Sequence, residues 1–388
     1  MTFNFDKIIN RENTRSAKLE YREALFGRND VLPLWVADMD FQSVPELETA
    51  LVERARHNLY GYTTFDDEIL NTIKRWLSKR HQFEINTDLL TFSPGVIPSL
   101  HALVQVFTEE NDQIVIQPPV YPPFFSVVKA HNRELVENPL INNNGHYEMD
   151  FEHLEETLKN GAKAFILCSP HNPVGRVWSR DELQKLADLC VKYGVYLFSD
   201  EIHADIVFDG YEHIPVASLN DKINELTFTL MAPSKTFNIA GLQASYVISP
   251  NEDLKKKVNE QLMRQGFSML NTFAFTALET VYKHGEDWLN ALIQKLEDNK
   301  KLIDEKLEQS SAKIKSVDTE GTYLVWLDFT KTGLEHDEIK RKLSDEAKVG
   351  LNDGKSFGDQ GEKFMRINIA SPSQIIEEGI DRIIKAFE

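Results

Sequence analysis

Short apolar runs alternate with helical repeats of apolar residues through the middle of the chain. The runs are rich in β-branched and aromatic residues, which is typical of strands buried on both faces of a sheet. Between two of them, Ser179-Arg-Asp-Glu182 predicts a helix-capping box, after which apolar residues recur at helical spacing. This alternation predicts a largely parallel α/β sheet between layers of helices. The strands are predicted at 89–92, 113–117, 164–168, 195–199, 226–230 and 244–248.

The pattern changes after Asn271, where apolar residues keep near-helical spacing over a long stretch. Later strands are predicted at 322–328 and 364–369, and a closing helix at 374–387. A chain of 388 residues exceeds the size at which one hydrophobic core usually stops growing. The sequence therefore predicts a division into three parts. These are an N-terminal segment at 1–45 that packs with the small domain, a large domain at 46–285 and a small C-terminal α+β domain at 286–388.

Composition and charge indicate which kinds of binding partner and which cellular location to expect. The formal net charge of -18 disfavours binding to nucleic acid or to an anionic membrane surface. The sequence has no apolar run of membrane-spanning length and no basic, apolar leader at its start, so a cytoplasmic protein is predicted. Its two cysteines, Cys168 and Cys190, are predicted to be buried free thiols, and neither a disulfide framework nor a metal site is expected.

Lys235 is the main candidate for a catalytic residue. Pyridoxal phosphate (PLP) needs a lysine amine for its Schiff base and an anionic partner for its pyridinium nitrogen. Asp200 ends a predicted strand, at the edge where open α/β sheets place their ligands, and a carboxylate there would keep the ring nitrogen protonated. Tyr121, Asn172 and His203 also precede Lys235 in the sequence, at spacings that fit such a site. Taken alone, Lys235 would be an ordinary surface lysine, and only the set of residues predicts a PLP enzyme.

Residues 91–100 predict the place of the cofactor phosphate. They have the pattern of a strand, a glycine turn and a helix start, in which Gly95 permits close approach and Pro98 suits a first helical turn. A helix N-terminus offers free N–H groups and the positive end of its dipole to a phosphate. The backbone N–H groups of Val96 and Ile97 are the predicted donors. Because many strand-to-helix turns carry glycine, this signal depends on the residues that follow it.

At these residues the chain resembles the fold-type I PLP enzymes, the aspartate aminotransferase superfamily. Within it, the chain is most similar to the MalY/PatB-type cystathionine β-lyases, from about residue 30 to 370. The resemblance implies the fold-type I PLP-dependent transferase fold, with a mostly parallel, seven-stranded-type sheet between helices in the large domain. The matching segments are Leu34-Trp-Val-Ala-Asp-Met-Asp-Phe41, Tyr60-Gly-Tyr62, Pro118-Pro-Val-Tyr121, Ser169-Pro-His-Asn-Pro-Val-Gly175, Asp200-Glu-Ile-His-Ala-Asp205, Ser234-Lys-Thr-Phe-Asn-Ile-Ala-Gly-Leu242 and Phe364-Met-Arg-Ile-Asn368.

The resemblance implies a role for each residue around the cofactor. Lys235 would be the tether and then the proton shuttle, and Asp200 would pair with the pyridinium nitrogen. Asn172 and His203 would lie at the phenolic oxygen of the ring, and Tyr121 would stack on its face. Three of these residues keep a structural alternative. Asp200, with Glu201, could form an ordinary turn at the end of a strand. Tyr121 could be a core aromatic, and His203 could be a buried structural hydrogen-bonding residue.

The resemblance also implies how the substrate is bound. Arg366 would bind the α-carboxylate of an amino acid through a bidentate fork, with a strand salt bridge as its structural alternative. Val36 and Ala37 would close over that carboxylate. Tyr62 would reach in from the partner subunit of a homodimer with shared active sites, where it could bond the phosphate or assist the leaving sulfur. Its alternative is apolar packing within its own chain.

One position departs from the superfamily pattern. Gln243 stands where many aminotransferases have an arginine that binds the phosphate. Ser234 and the N–H groups after Gly95 would then carry more of that task, together with a tyrosine of the partner subunit. The departure argues against the main aminotransferase branch.

Three functions stay open from the sequence. A thiolate on the substrate β-carbon, with a pKa of about 8.5 for its conjugate acid, leaves with little acid assistance. The first hypothesis is therefore a C–S β-lyase that cleaves L-cystathionine and related L-cysteine S-conjugates to a thiol, pyruvate and ammonia. Without such a group, the same residues support transamination, so an aminotransferase is the second hypothesis. A regulatory protein with a PLP-enzyme fold is the third.

Overall fold

The structure is a computed structural model that describes residues 3–388. Residues 1 and 2, which belong to the predicted N-terminal segment, lie outside the described residues. The strands are β1 Leu32–Pro33, β2 Leu90–Ser93, β3 Gln113–Ile116, β4 Glu134–Glu137, β5 Ile141–Asn143, β6 His146–Glu148, β7 Ala164–Cys168, β8 Tyr196–Asp200, β9 Thr227–Met231, β10 Ser245–Ile248, β11 Lys315–Ser316, β12 Leu324–Asp328, β13 Val349–Gly350, β14 Asn352–Asp353 and β15 Phe364–Asn368.

Helices cover both faces of the sheets and join the strands. The α-helices are α1 Ala17–Glu20, α2 Arg22–Phe26, α3 Pro45–His57, α4 Asp67–His81, α5 Val96–Phe107, α6 Pro123–Ala130, α7 Phe151–Lys159, α8 Arg180–Tyr193, α9 Asp221–Asn224, α10 Pro233–Thr236, α11 Glu252–Arg264, α12 Thr272–His284, α13 Glu286–Glu308, α14 His336–Arg341 and α15 Ser373–Phe387. Short 3-10 helices occur at Thr87–Leu89, Val216–Ser218, Ala240–Leu242, Thr330–Thr332, Gly354–Phe357 and Asp359–Gly361, and a π-helical turn at Lys342–Ala347.

The main sheet has seven strands in the order β2-β10-β9-β8-β7-β3-β4. Every residue of β7 and β9 is buried; β7 is continuously apolar, and β9 combines apolar residues with two threonines, as is typical of strands covered on both faces. The predicted capping box forms at the start of α8, where Ser179 and Glu182 exchange hydrogen bonds with each other's backbone. The predicted mostly parallel α/β fold is confirmed. The seventh strand, β4, is missed by the pattern because it is an edge strand whose residues are only partly buried.

Strand direction brings chain segments together at one edge of this sheet. β10 runs antiparallel to both of its neighbours, whereas the pairs from β9 through to β4 are parallel. The carboxyl ends of β2, β3, β7, β8 and β9 therefore lie at one edge, and β10 begins there. This is the edge at which open α/β sheets bind ligands.

A second sheet has four antiparallel strands in the order β11-β12-β15-β14. Helix α15 packs on α13 beside it through the buried residues Ile376, Ile380 and Ile383. The N-terminal segment joins this part of the chain, because β1 pairs with β13. The domain boundaries near residues 45 and 286 stay predictions.

Both cysteines are buried free thiols, and burial raises the pKa of each. No helix within residues 3–388 is long and apolar enough to cross a membrane.

Candidate active site

A cavity of about 200 Å³ opens at the carboxyl edge of the main sheet. Its walls come from the turns that follow β2, β3, β7, β8 and β9, from the start of β10 and from the N-terminal segment. The sequence-predicted residues that line it are Ala37, Val96, Ile97, Tyr121, Asn172, Asp200, His203, Ser234 and Lys235, and Gln243 lines it as well. Strand topology thus brings together residues that are up to 206 positions apart (243 minus 37).

Lys235 lies on the short helix α10, directly after β9. Its Nζ donates a hydrogen bond of 2.8 Å to the backbone carbonyl of Ala37. Burial, and then the positive charge of Arg366, lowers the pKa of Lys235 to about 8. Near physiological pH roughly a fifth of this amine is therefore neutral, far more than for an ordinary lysine, and only the neutral form can accept a proton.

Asp200 is the last residue of β8 and is buried. Its Oδ1 accepts a hydrogen bond of 3.2 Å from the backbone N–H of Ile202. No salt bridge to it forms among the described residues, and burial raises the pKa of Asp200 to about 7. A cationic neighbour would stabilise the ionised form of a buried carboxyl group whose pKa is raised in this way.

His203 and Asn172 face the cavity from neighbouring turns. Burial, followed by the charges of Lys235 and Arg366, lowers the pKa of His203 to about 3, so this imidazole is neutral. Its Nδ1 has no hydrogen-bond partner within the described chain. The Oδ1 of Asn172 accepts from Arg366 at 3.1 Å, which leaves its Nδ2 as a donor.

Arg366 lies on β15 of the second sheet and is buried. Besides Asn172, its guanidinium donates to the backbone oxygen of Trp35 at 3.0 Å and to Oδ1 of Asn352 at 2.5 Å. Its Nε lacks a hydrogen-bond partner in residues 3–388. Burial lowers the pKa of Arg366 to about 10. The guanidinium is therefore charged at neutral pH. It is held by neutral oxygens and by the face of the Phe357 ring, 5.1 Å from the ring centroid, so no carboxylate among the described residues balances its charge.

Val36 and Ala37 lie in a segment without helix or strand, which passes between the two sheets. Val36 does not line the cavity, and its backbone carbonyl accepts from Nδ2 of Asn368 at 2.6 Å. Carbonyl oxygens do not bind a carboxylate. Any closure over a substrate carboxylate would therefore have to use the backbone N–H groups of Val36 and Ala37.

The predicted phosphate end of the cavity is the start of α5. Gly95 is the N-cap residue and provides no side-chain cap, so the first N–H groups of the helix have no such partner. The side chain of Ser234 is at the same cavity. Gln243 lies two residues before β10 in a left-handed conformation, with φ of 56°. Apart from Lys235, no lysine or arginine lines this cavity.

Tyr62 is not brought into the cavity of its own chain. It lies in a stretch without helix or strand and is fully exposed. Tyr60, two residues before it, donates to the backbone oxygen of Ala55 at 2.8 Å.

Two groups of residues around the site were not predicted from the sequence. The first is Tyr323, whose hydroxyl donates to the Ala37 carbonyl at 3.0 Å. It stands among apolar residues in the sequence, and no motif there indicates a functional role.

The second is Asp205, which is buried behind Lys235. It accepts hydrogen bonds from His81 at 2.8 Å and from the Thr236 hydroxyl at 2.8 Å. Burial acts to raise the pKa of Asp205, but the bond from His81 opposes it, and the net shift is downward. The motif that contains Asp205 was recognised, although not its contacts.

The cavity fits PLP in three respects. The buried carboxyl of Asp200 has no cationic partner and could pair with a pyridinium nitrogen. The uncapped start of α5 and the Ser234 hydroxyl offer donors to a phosphate. The half-buried Lys235, whose amine has a lowered pKa, is suited to form a Schiff base.

Comparison with known proteins agrees with this fit. The family model for aminotransferases of class I and II matches residues 29–383. Cystathionine beta-lyase PatB of Bacillus subtilis is 43% identical over 98% of each chain. A PLP-bound putative aminotransferase from Clostridium difficile superposes with a TM-score of 0.98 at 44% identity, covering 100% of both chains. A PLP-bound C–S lyase from Staphylococcus hominis has a TM-score of 0.93 at 34% identity, covering 100% of this chain and 98% of that one.

The fold and the cavity are thus those of a PLP-dependent enzyme. The chain belongs to the aminotransferase class I and II family, and the resemblance to the MalY/PatB-type branch is confirmed.

We expect Asp200→Asn to stabilise the chain in the absence of cofactor. Between about pH 4 and 7 the folded carboxyl holds a proton that the unfolded one releases, so stability falls as pH rises through this range. Removing the acid should raise the free energy of unfolding by about 4 kcal/mol at pH 8 and change it far less near pH 4. Urea unfolding at both pH values measures this difference.

Asp205→Asn is the matched control, because the pKa of Asp205 is shifted in the opposite direction. This variant should lose stability at pH 8. A loss of stability in Asp200→Asn at pH 8 would show that its carboxylate is compensated within the protein.

Proposed function

We infer that the chain is a PLP-dependent carbon–sulfur β-lyase that cleaves L-cystathionine and related L-cysteine S-conjugates to a thiol, pyruvate and ammonia. The observation that carries the cofactor assignment is the Lys235 amine, with its lowered pKa, in one cavity with the unpaired carboxyl of Asp200. The reaction type is supported by the full-length likeness to a cystathionine beta-lyase and to a C–S lyase.

Several side chains would hold the cofactor. Asp200 would pair with the pyridinium nitrogen, and Tyr121 would stack on the ring. Asn172 would donate its Nδ2 to the phenolic oxygen, with the neutral His203 beside it. Ser234 and the N-terminus of α5 would bind the phosphate. When bound, PLP supplies an electron sink for charge that develops at the substrate α-carbon.

Lys235 would move the protons. As a neutral amine within a closed site, it can take the proton from the α-carbon and later return it. Its lowered pKa of about 8 leaves both protonation states accessible near neutral pH. The departing thiolate needs little help from an acid, because thiols have a pKa of about 8.5. A separate strong acid is therefore not required for the elimination.

Arg366 would bind the substrate α-carboxylate. Its charge is balanced by no carboxylate within residues 3–388, and its unpaired Nε gives it a free donor. A bidentate contact with a carboxylate would satisfy both the charge and the donor. Binding at this position would favour amino acids over simple amines.

The first test is pyruvate release from L-cystathionine in the absence of any keto acid. We expect pyruvate and thiol in equal amounts from the wild type. Lys235→Ala should lose the absorbance of the lysine-bound cofactor and reduce turnover by several orders of magnitude, because both tether and base are gone. Unchanged circular dichroism shows that the fold persists. Turnover near the wild-type rate in Lys235→Ala would contradict the assignment.

An aminotransferase is the second candidate, since the similar Clostridium difficile structure is described as a putative aminotransferase. The same assay separates the two. Amino-group transfer that requires a keto acid, with no pyruvate formed in its absence, would favour the aminotransferase.

We expect Arg366→Lys to reduce kcat/KM for amino-acid substrates roughly 30- to 1000-fold, which corresponds to about 2 to 4 kcal/mol. Lysine retains the charge but cannot form the bidentate contact. The control is the matching S-conjugated amine without a carboxylate, for which the loss should be much smaller. An equal reduction of kcat/KM for both substrates would show that Arg366 does not bind the α-carboxylate.

We also propose a homodimer with shared active sites. Leu59, Tyr60 and Tyr62 are 67%, 56% and 112% exposed, and a cluster of exposed apolar side chains is typical of an interface. Covering this stretch with a second copy would bury these side chains and could bring Tyr62 to the neighbouring cavity. There its hydroxyl could bond the phosphate or assist the leaving sulfur.

Mixed dimers test the sharing of sites. If Tyr62 acts in the partner's site, a heterodimer of Tyr62→Phe and Lys235→Ala has one site with both lesions and one site with neither. Activity should recover above that of either parent, toward half of the wild-type value per heterodimer. The mixture is assayed after subunit exchange has been demonstrated by mass spectrometry. Exchange without recovery, or a fully active monomer, would contradict shared sites.

A further inference from the structure

Tyr323 is a buried residue of the site to which the proposed function gives no role. It lies just before β12 and is 1% exposed. Its hydroxyl donates to the backbone oxygen of Ala37 at 3.0 Å, and Lys235 Nζ donates to the same oxygen at 2.8 Å. Within residues 3–388, neither donor has another hydrogen-bond partner.

The shared oxygen accepts both hydrogen bonds at once, because a carbonyl has two lone pairs. Since it cannot donate, Lys235 must turn an N–H group toward Ala37 whether the amine is neutral or protonated. In the neutral amine, the lone pair then points away from this oxygen. The carbonyl of Ala37 thus fixes the orientation of the free amine in both protonation states.

The position of this carbonyl depends on side chains. Ala37 lies outside regular secondary structure, and Asn368 Nδ2 donates to the carbonyls on either side of it, those of Val36 and Asp38. Apart from Lys235 itself, Tyr323 is the donor to the carbonyl of Ala37. The tyrosine ring is fixed by burial and by an edge contact with His203, at 5.9 Å between ring centroids.

We propose that Tyr323 is a positioning residue for Lys235: through the Ala37 carbonyl it holds the free amine where that amine exchanges a proton with the substrate α-carbon. In this step the amine lone pair takes the proton, and the electron pair of the C–H bond stays with the substrate. In deuterium oxide the reverse step returns a deuteron. The inference rests on the proposed function, since it requires a lysine that transfers protons.

The test is the exchange of the α-proton of L-alanine in deuterium oxide, followed by proton NMR with the full-length holoenzyme. Alanine has no leaving group on its β-carbon, so the measurement isolates the proton transfer. Tyr323→Phe keeps the ring and removes the hydroxyl. We expect the maximal exchange rate to fall about five- to tenfold, as loss of one neutral hydrogen bond predicts, with little change in KM. The isotope effect with α-deuterated alanine should increase.

Two controls separate positioning from damage to the fold or to cofactor binding. Titration of the cofactor-free chain with PLP should give the same affinity for Tyr323→Phe as for the wild type. Tyr147→Phe removes another buried tyrosine hydroxyl, which accepts from Asn142 in the β5–β6 hairpin, and should leave exchange unchanged. As a second variant at the shared bond, Ala37→Gly loosens the segment that bears the carbonyl and should also slow exchange.

The outcomes are distinct. Slower exchange in Tyr323→Phe with unchanged PLP affinity supports the proposal. Unchanged exchange in Tyr323→Phe overturns it, whatever Ala37→Gly does. The proposal is also overturned if the slower exchange of Tyr323→Phe comes with weaker PLP binding, or if Tyr147→Phe slows exchange equally. A wild-type holoenzyme that exchanges no α-proton of any amino acid would contradict the proposed function itself.

Discussion

The direction of one strand determines where the site forms. Because β10 alone runs against the other strands of the main sheet, the carboxyl ends of its neighbours and the start of β10 meet at one edge. Asp200 ends β8, Lys235 follows β9 and Gln243 precedes β10. Residues far apart in sequence thus share one cavity without any long loop to carry them, and regular strands hold them more rigidly than loops could.

Burial then determines the chemistry of these residues. It shifts the pKa of Asp200 up and those of Lys235, His203 and Arg366 down, in each case toward the neutral form. Asp205, only five residues after Asp200, shows the opposite shift because His81 and Thr236 donate to it. The difference between the two aspartates lies in their partners. The carboxyl of Asp200 and the guanidinium of Arg366 have no ionic partners in the chain. A cationic cofactor ring would provide one for the carboxyl, and an anionic substrate would provide one for the guanidinium.

The sequence predicted the parts of the structure that depend on local pattern. Buried strands such as β7 are recognisable because both faces are covered and the run is continuously apolar, whereas the partly exposed edge strand β4 has no such pattern. Asp200 was predicted because it ends a strand, and Lys235 because the other residues of the set precede it at spacings that fit a PLP site. Tyr323 and Asn352 could not be found in this way. Both residues act through contacts with residues distant in sequence, and the periodicity of apolar residues contains no information on such contacts.

The segment around Ala37 connects the two sheets through its backbone oxygens. The second sheet supplies Arg366 and Asn368, which donate to the carbonyls of Trp35, Val36 and Asp38. Lys235, on the short helix α10 that follows β9 of the main sheet, donates to that of Ala37. Because the donors are attached to both sheets, any shift of one sheet relative to the other strains these bonds. The position of the reactive lysine amine is therefore coupled to that of the arginine proposed to bind the substrate, through a few residues that belong to neither sheet.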